Sequence, residues 1–154
     1  MKKLFAIFSL AGLTIFTACD NENSVNPPSE LGKATITGTV YAELDETDIG
    51  GVLEKVPAGT KIVAVINTKD LVINPTNGNY AKKYYETTVD ANGKYSIQVD
   101  AGNKELVVAV IPADFTFDVK TGASTTEKTN FYGSNADDNV TVYKNGTFIL
   151  DLYY

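Results

Sequence analysis

The chain has 154 residues, with thirteen lysines against nineteen Asp plus Glu, one cysteine, and no arginine, histidine or tryptophan. Without histidine the usual general base and the commonest zinc ligand are missing, and without arginine there is no bidentate clamp for phosphate or carboxylate. A net charge of −6 with no basic patch argues against nucleic acid and against adhesion to anionic lipid, and only Asp, Glu, Lys, Ser, Thr and Tyr remain for catalysis, so no enzyme is expected.

Residues 1–18 read as an export signal. Lys2 and Lys3 form a positive start, and residues 4–16 are apolar apart from small interruptions such as Ser9 and Thr14. That run is shorter than the roughly 20 apolar residues of a bilayer-spanning helix. Ile15-Phe16-Thr17-Ala18-Cys19 resembles a bacterial lipobox, in which small residues precede a cysteine that is diacylated on sulfur and becomes the first residue after cleavage. Phe16 stands where the lipobox usually has Leu. An ordinary signal peptidase site would need a small residue there. The resemblance implies that Cys19 carries the lipid and that the membrane is reached through this anchor. Each buried CH₂ contributes about 0.8 kcal/mol, and two or more chains hold stably where one does not. Cys19 is the sole cysteine, so no intrachain disulfide forms. Removing Lys2 and Lys3 leaves eleven lysines against nineteen acids, a net −8.

Residues 19–32 are polar, contain Pro27-Pro28 and read as a flexible tether. Asp20 and Glu22 resemble the acidic start of many Bacteroidetes lipoproteins, some of which are sent to the cell surface. The expected location is the cell envelope, as an outer-membrane lipoprotein facing the periplasm or the exterior.

From residue 33 to 154 the pattern is that of one all-β domain. Residues 34–41 alternate and are rich in β-branched side chains, predicting a strand. An acidic, glycine-ended loop follows at 45–51, then a turn at 56–60 and a strand at 61–67. Residues 74–79 are a loop, 80–89 a strand, and Asp90-Ala91-Asn92-Gly93 a hairpin turn, because Asn-Gly supplies positive φ. Residues 94–99 form the next strand. After a turn at Gly102-Asn103, residues 104–111 form an almost unbroken apolar strand, expected to be central and to end at Pro112. Residues 115–120 alternate weakly, 121–127 are a loop, 128–132 a strand and 133–139 a polar loop. Residues 140–144 and 147–153 flank Asn145-Gly146, a second hairpin signal. No segment has a 3.6-residue period, so the expected fold is an antiparallel β-sandwich of about seven strands, Ig-like or transthyretin-like. The expected core is Ile36 and Val40, then Ile62, Ala64 and Ile66, then Tyr95, Ile97 and Val99, then Leu106, Val108 and Val110.

Residues 88–102, TVDANGKYSIQVDAG, followed by the apolar run 106–110, resemble the carboxypeptidase regulatory-like group of transthyretin-like or CnaB-like sandwiches, whose pattern is T-x-D-x-x-G-x-Y-x-I-x-V-x-x-G. Ile36-Thr37-Gly38-Thr39-Val40 resembles the first strand of that group with its G-x-V. The resemblance covers about residues 34–111 and implies a fold, not an activity.

Four candidate sites follow, three from residue chemistry and one from the resemblance. Tyr80 and Tyr84 beside Asn77 suit the face and hydroxyls of a sugar ring. Asp90 and Asn92 resemble part of a calcium loop, although Thr88 occupies the first ligand position of the EF-hand pattern, and Asp45, Glu46 and Asp48, or Asp137 and Asp138, are alternative sets of oxygen ligands. No other cofactor is expected. The resemblance to CnaB-like domains, some of which join a Lys to an Asn or Asp beside a buried acid, implies an isopeptide bond as a further candidate, with Lys61, Glu86 and Asn139 or Asp151 as the residue types present. Asp114 and Asp118 are paired acids, but alternation puts both on one face, with Phe115 and Phe117 on the other. The expected function is a non-catalytic envelope module that binds a partner or stiffens an assembly. The alternatives are a glycan-binding accessory of a polysaccharide-uptake system and a pilus or adhesin subunit, so the partner is a protein or a glycan.

Overall fold

The computed structural model describes residues 30–47, 50–122, 127–134 and 138–154. The expected signal peptide, Cys19, most of the tether, Asp48 and Asp137 lie outside the described residues. Among the described residues the fold is all-β. The strands are β1 (Gly32–Ala42), β2 (Glu54–Lys55), β3 (Lys61–Asn67), β4 (Lys82–Thr88), β5 (Lys94–Ala101) and β6 (Leu106–Pro112). They continue with β7 (Phe115–Lys120), β8 (Glu127–Tyr132), β9 (Asp138–Val142), β10 (Thr147–Ile149) and β11 (Leu152–Tyr153), and one 3-10 turn spans Thr68–Leu71.

Two sheets face each other. The first is built on β1. Ala34, Ile36, Val40 and Ala42 turn inward and are buried, while Thr35, Thr37, Thr39 and Tyr41 alternate outward. Along one side of β1 runs antiparallel β5, from Gly32 opposite Ala101 to Thr39 opposite Lys94, and β2 continues that side at Tyr41 and Ala42. Along the other side β10 and β11 run parallel to β1 in one continuous register, Thr35 facing Thr147 and Val40 facing Leu152. The sheet is therefore three strands wide. The second sheet has the order β4-β3-β6-β9, every pair antiparallel, and β7 and β8 form a separate two-stranded ribbon.

The core lies between the sheets and contains every side chain expected there, from Ile36 through Val110. Val142 and Leu152, both fully buried, bring in the last strands. Tyr95 is 3% exposed, and its hydroxyl donates to the Leu150 carbonyl oxygen at 2.8 Å, so the ring is buried without stranding its polar end.

Three expectations change. Residues 140–144 and 147–153 are not a hairpin: β9 pairs with β6 and β10 with β1, so Asn145-Gly146 carries the chain from one sheet to the other. Asn145 takes a φ of 65°, its N–H donates to the Lys33 carbonyl, and the Gly146 carbonyl accepts from the Thr35 N–H. The turn chemistry was legible; the partner was set by long-range packing, which places Val140 and Val142 beside Val108 and Leu106. That crossing also sets β10 and β11 parallel to β1. Second, the strand expected from residue 80 begins at Lys82, because the Tyr80 hydroxyl closes the preceding loop by accepting from the Thr76 N–H at 2.9 Å. Third, β6 is central in its sheet but two-faced, with Leu106, Val108 and Val110 buried and Val107 54% exposed. Pro112 occupies its last position, where a missing N–H breaks no further ladder bond.

Candidate functional site

A groove of about 620 Å³ is associated with the β1 sheet, a size within the roughly 300–1,000 Å³ range of small-ligand sites. Thr37 and Thr39 of β1 and Ser96 and Lys94 of β5 line it beside Ile149 and Asp151, and it extends to Thr87, Thr88 and Asp90. Strand alternation explains the hydroxyls. With Ile36 and Val40 inward, Thr37 and Thr39 must face out, and with Tyr95 and Ile97 inward, so must Ser96.

Gly38 lets the far side of the groove close. A Cβ at that position would lie 1.8 Å from the Leu150 carbonyl oxygen, so only glycine allows the chain between β10 and β11 to lie this close to β1. Asp151 then substitutes for a ladder acceptor: its Oδ1 accepts from the Thr39 N–H at 2.7 Å. Burial, with Asp151 and Asp138 adding to it, pushes the Tyr95 hydroxyl well above the ordinary tyrosine range, so it stays a donor to Leu150. At the opposite end, Asp90 Oδ1 accepts from the N–H of Lys94 at 2.9 Å and of Asn92 at 2.8 Å. Those backbone bonds hold its carboxyl below the usual carboxylate value.

A second polar cluster sits farther along β5. Asp100 receives Lys33 Nζ on one carboxylate oxygen and Lys83 Nζ on the other, each at 2.5 Å, and its N–H donates to the Tyr85 hydroxyl at 3.1 Å. Partial burial works to raise its pKa, but the hydrogen bonds from Lys33, Lys83 and Tyr85 outweigh it and bring it down to about 2. Asp100 lies on the edge strand β5 of the first sheet and Lys83 on the edge strand β4 of the second, so one carboxylate ties the two sheets and, through Lys33, holds β5 to β1.

The residues singled out from sequence are scattered. Tyr80 is engaged with Thr76, Asn77 is exposed in the loop, and Tyr84 stands 61% exposed on the outer side of β4, opposite Val65. Tyr85, by contrast, packs partly into the core. Asn92 contributes its backbone to the Asp90 turn, and Asp138 starts β9 opposite Val110. Among the described residues no three His, Cys, Asp or Glu side chains gather as a metal group. Lys61 and Glu86 do meet, as an exposed ion pair at 3.0 Å, but Asn139 faces Ala109 on β6 and Asp151 belongs to the other sheet. Asp114 accepts from the Ser134 N–H at 3.0 Å and Asp118 from the Thr129 hydroxyl at 2.6 Å, while Phe115 and Phe117 pack toward the core. Of the groove residues, Asp90 and Asp151 were singled out, for other chemistry, and the hydroxyl residues Thr37, Thr39 and Ser96 were missed because no motif marks them. The signal was the outward series Thr35, Thr37, Thr39, Tyr41, readable from the alternation of strand β1.

No family model matches the chain, and no curated protein matches it. Among solved structures it is similar to the major plantain pollen allergen Pla l 1, at 16% sequence identity over 79% of this chain and 94% of that one, with a TM-score of 0.39.

Proposed function

We propose that the chain is a non-catalytic, lipid-tethered module of the bacterial cell envelope whose sandwich presents a binding surface. The observation that carries this reading is the lipobox-like segment ending in Cys19, the sole cysteine of a chain without histidine or arginine. Lipidation there would consume the only thiol and hold the domain at the outer membrane behind a polar tether. The use of the acids supports the non-catalytic part. Asp90 closes a turn, Asp100 clamps two lysines, Asp151 replaces a ladder acceptor, and Glu54 Oε2 accepts from the N–H of Leu44 and Asp45. A general acid or base needs a carboxyl whose pKa lies near the working pH; Asp90 and Asp100 are instead held lower by their partners.

The test is fractionation with metabolic labelling in a bacterial host. The full chain should take up labelled fatty acid and sediment with outer membranes, and Cys19→Ser should lose the label and leave the membrane fraction. Unchanged sedimentation of unlabelled Cys19→Ser, or turnover of glycosides or esters at enzyme-like rates, would contradict the reading.

A further inference from the structure

We propose that the outward face of the β1 sheet binds a neutral polysaccharide chain lying along its strands. The inference rests on the binding-module reading and adds the place and the ligand chemistry. Register arranges the face in rows. Thr147, Thr35 and Gln98 form one row, Ile149, Thr37 and Ser96 the next, then Asp151, Thr39 and Lys94, and finally Tyr153, Tyr41 and Lys55. The groove lies along the second and third rows. Tyr41 and Tyr153 stack at its end, with centroids 5.4 Å apart and planes 16° from parallel, and Tyr153 is 57% exposed. Its ring is thus held by Tyr41 from one side and open beyond it, a rigid amphipathic surface of the kind binding sites favour.

The chemistry of the face selects among ligands. Hydroxyls and the Gln98 amide both donate and accept, as the hydroxyls of a sugar do. Ile149, 80% exposed, and the tyrosine rings offer apolar surface to the C–H face of a pyranose. Charge is balanced locally, Lys94 and Lys55 against Asp151 and Asp90, within a chain of net −6. An anionic polymer meets no basic field here, and a purely apolar partner would strand the hydroxyl rows without hydrogen bonds. A neutral polyol leaves neither mismatch.

Affinity electrophoresis of the full chain in nonionic detergent tests this, with laminarin, mixed-linkage β-glucan, xyloglucan and mannan in the gel, and polygalacturonate as the charged comparison. At least one neutral polymer should retard the protein and polygalacturonate should not. Tyr153→Ala should weaken retention about tenfold, the scale of removing an aromatic anchor. Ile149→Arg, which fills the groove from an exposed position, should abolish retention with the fold intact by circular dichroism. Tyr84→Ala should stay within about twofold of the parent. Retention by no neutral polymer, or retention lost in Tyr84→Ala but kept in Tyr153→Ala and Ile149→Arg, overturns the inference while leaving a lipid-tethered module. Hydrolysis of the retarding polymer overturns both readings.

Discussion

Replacing Gly38 by alanine tests the feature that sequence reasoning could not reach, the parallel seating of β10 and β11 on β1. The added methyl would stand 1.8 Å from the Leu150 carbonyl oxygen, 2.6 Å from its carbon and 3.0 Å from the Tyr95 ring. Backbone lies at the first two contacts, so no rotamer change relieves them. The chain around Leu150 must lift away from β1. Lifting strains the 2.8 Å bond from the Tyr95 hydroxyl to Leu150, the 2.8 Å bond from the Leu150 N–H to the Thr37 carbonyl, and the Asp151 acceptance from Thr39. Overpacking costs about 1–3 kcal/mol, and one buried hydrogen bond lost adds about 1 kcal/mol, so a total of about 2–4 kcal/mol is expected. That is a large share of the roughly 5–15 kcal/mol by which such domains are stable. Urea unfolding followed by circular dichroism measures it. Gly78→Ala, whose Cβ meets only Thr76 Oγ1 at 3.5 Å, is the control and should change stability by under about 0.5 kcal/mol. A Gly38→Ala protein as stable as the control would refute the parallel register.

Three further outcomes follow from the same contacts. Asp100→Asn should cost about 1 kcal/mol at neutral pH, because solvent around the exposed lysines screens the pairs; since the folded carboxyl sits near 2, below its ordinary value, its stabilisation is present above the ordinary value and fades as pH falls through about 2, so urea midpoints of parent and variant should converge in strong acid. Tyr95→Phe removes the donor to Leu150 and should cost about 1–2 kcal/mol, and in the parent Tyr95, and after it Tyr154, which burial pushes up to about 12, should resist ionisation when alkaline titration is followed by tyrosinate absorbance. Leu152→Ala empties a fully buried position and should cost about 2–5 kcal/mol, whereas Ile149→Ala, 80% exposed and three residues away, should cost under about 0.5 kcal/mol.

The fold was legible wherever one strand's own alternation carried it. Residues 61–67 and 115–120 were read at the bounds of β3 and β7, and Asp90-Ala91-Asn92-Gly93 was read as the turn it is, because these depend on local periodicity and turn chemistry. The ends of the chain were harder. Asn145-Gly146 looks locally the same whether it returns a strand on its neighbour or passes it to the opposite sheet, and only burial of Leu152 and Phe148 against β1 decides. The two residues of β2 carry too little pattern to be seen alone, and they exist because Tyr41 and Ala42 extend past β5. The groove failed to appear for the same reason as the topology: Thr37 and Ser96 are distant in sequence and become neighbours only through strand register. Tyr80 and Tyr84 drew attention by proximity in sequence, yet Tyr80 is spent on its own loop.

The most direct test of the tethered-module account is the mass of the N-terminal peptide of the protein extracted from outer membranes. The account predicts a peptide beginning at Cys19 that carries a diacylglyceryl group on sulfur. A peptide that begins elsewhere, or an unmodified thiol at Cys19, would contradict it.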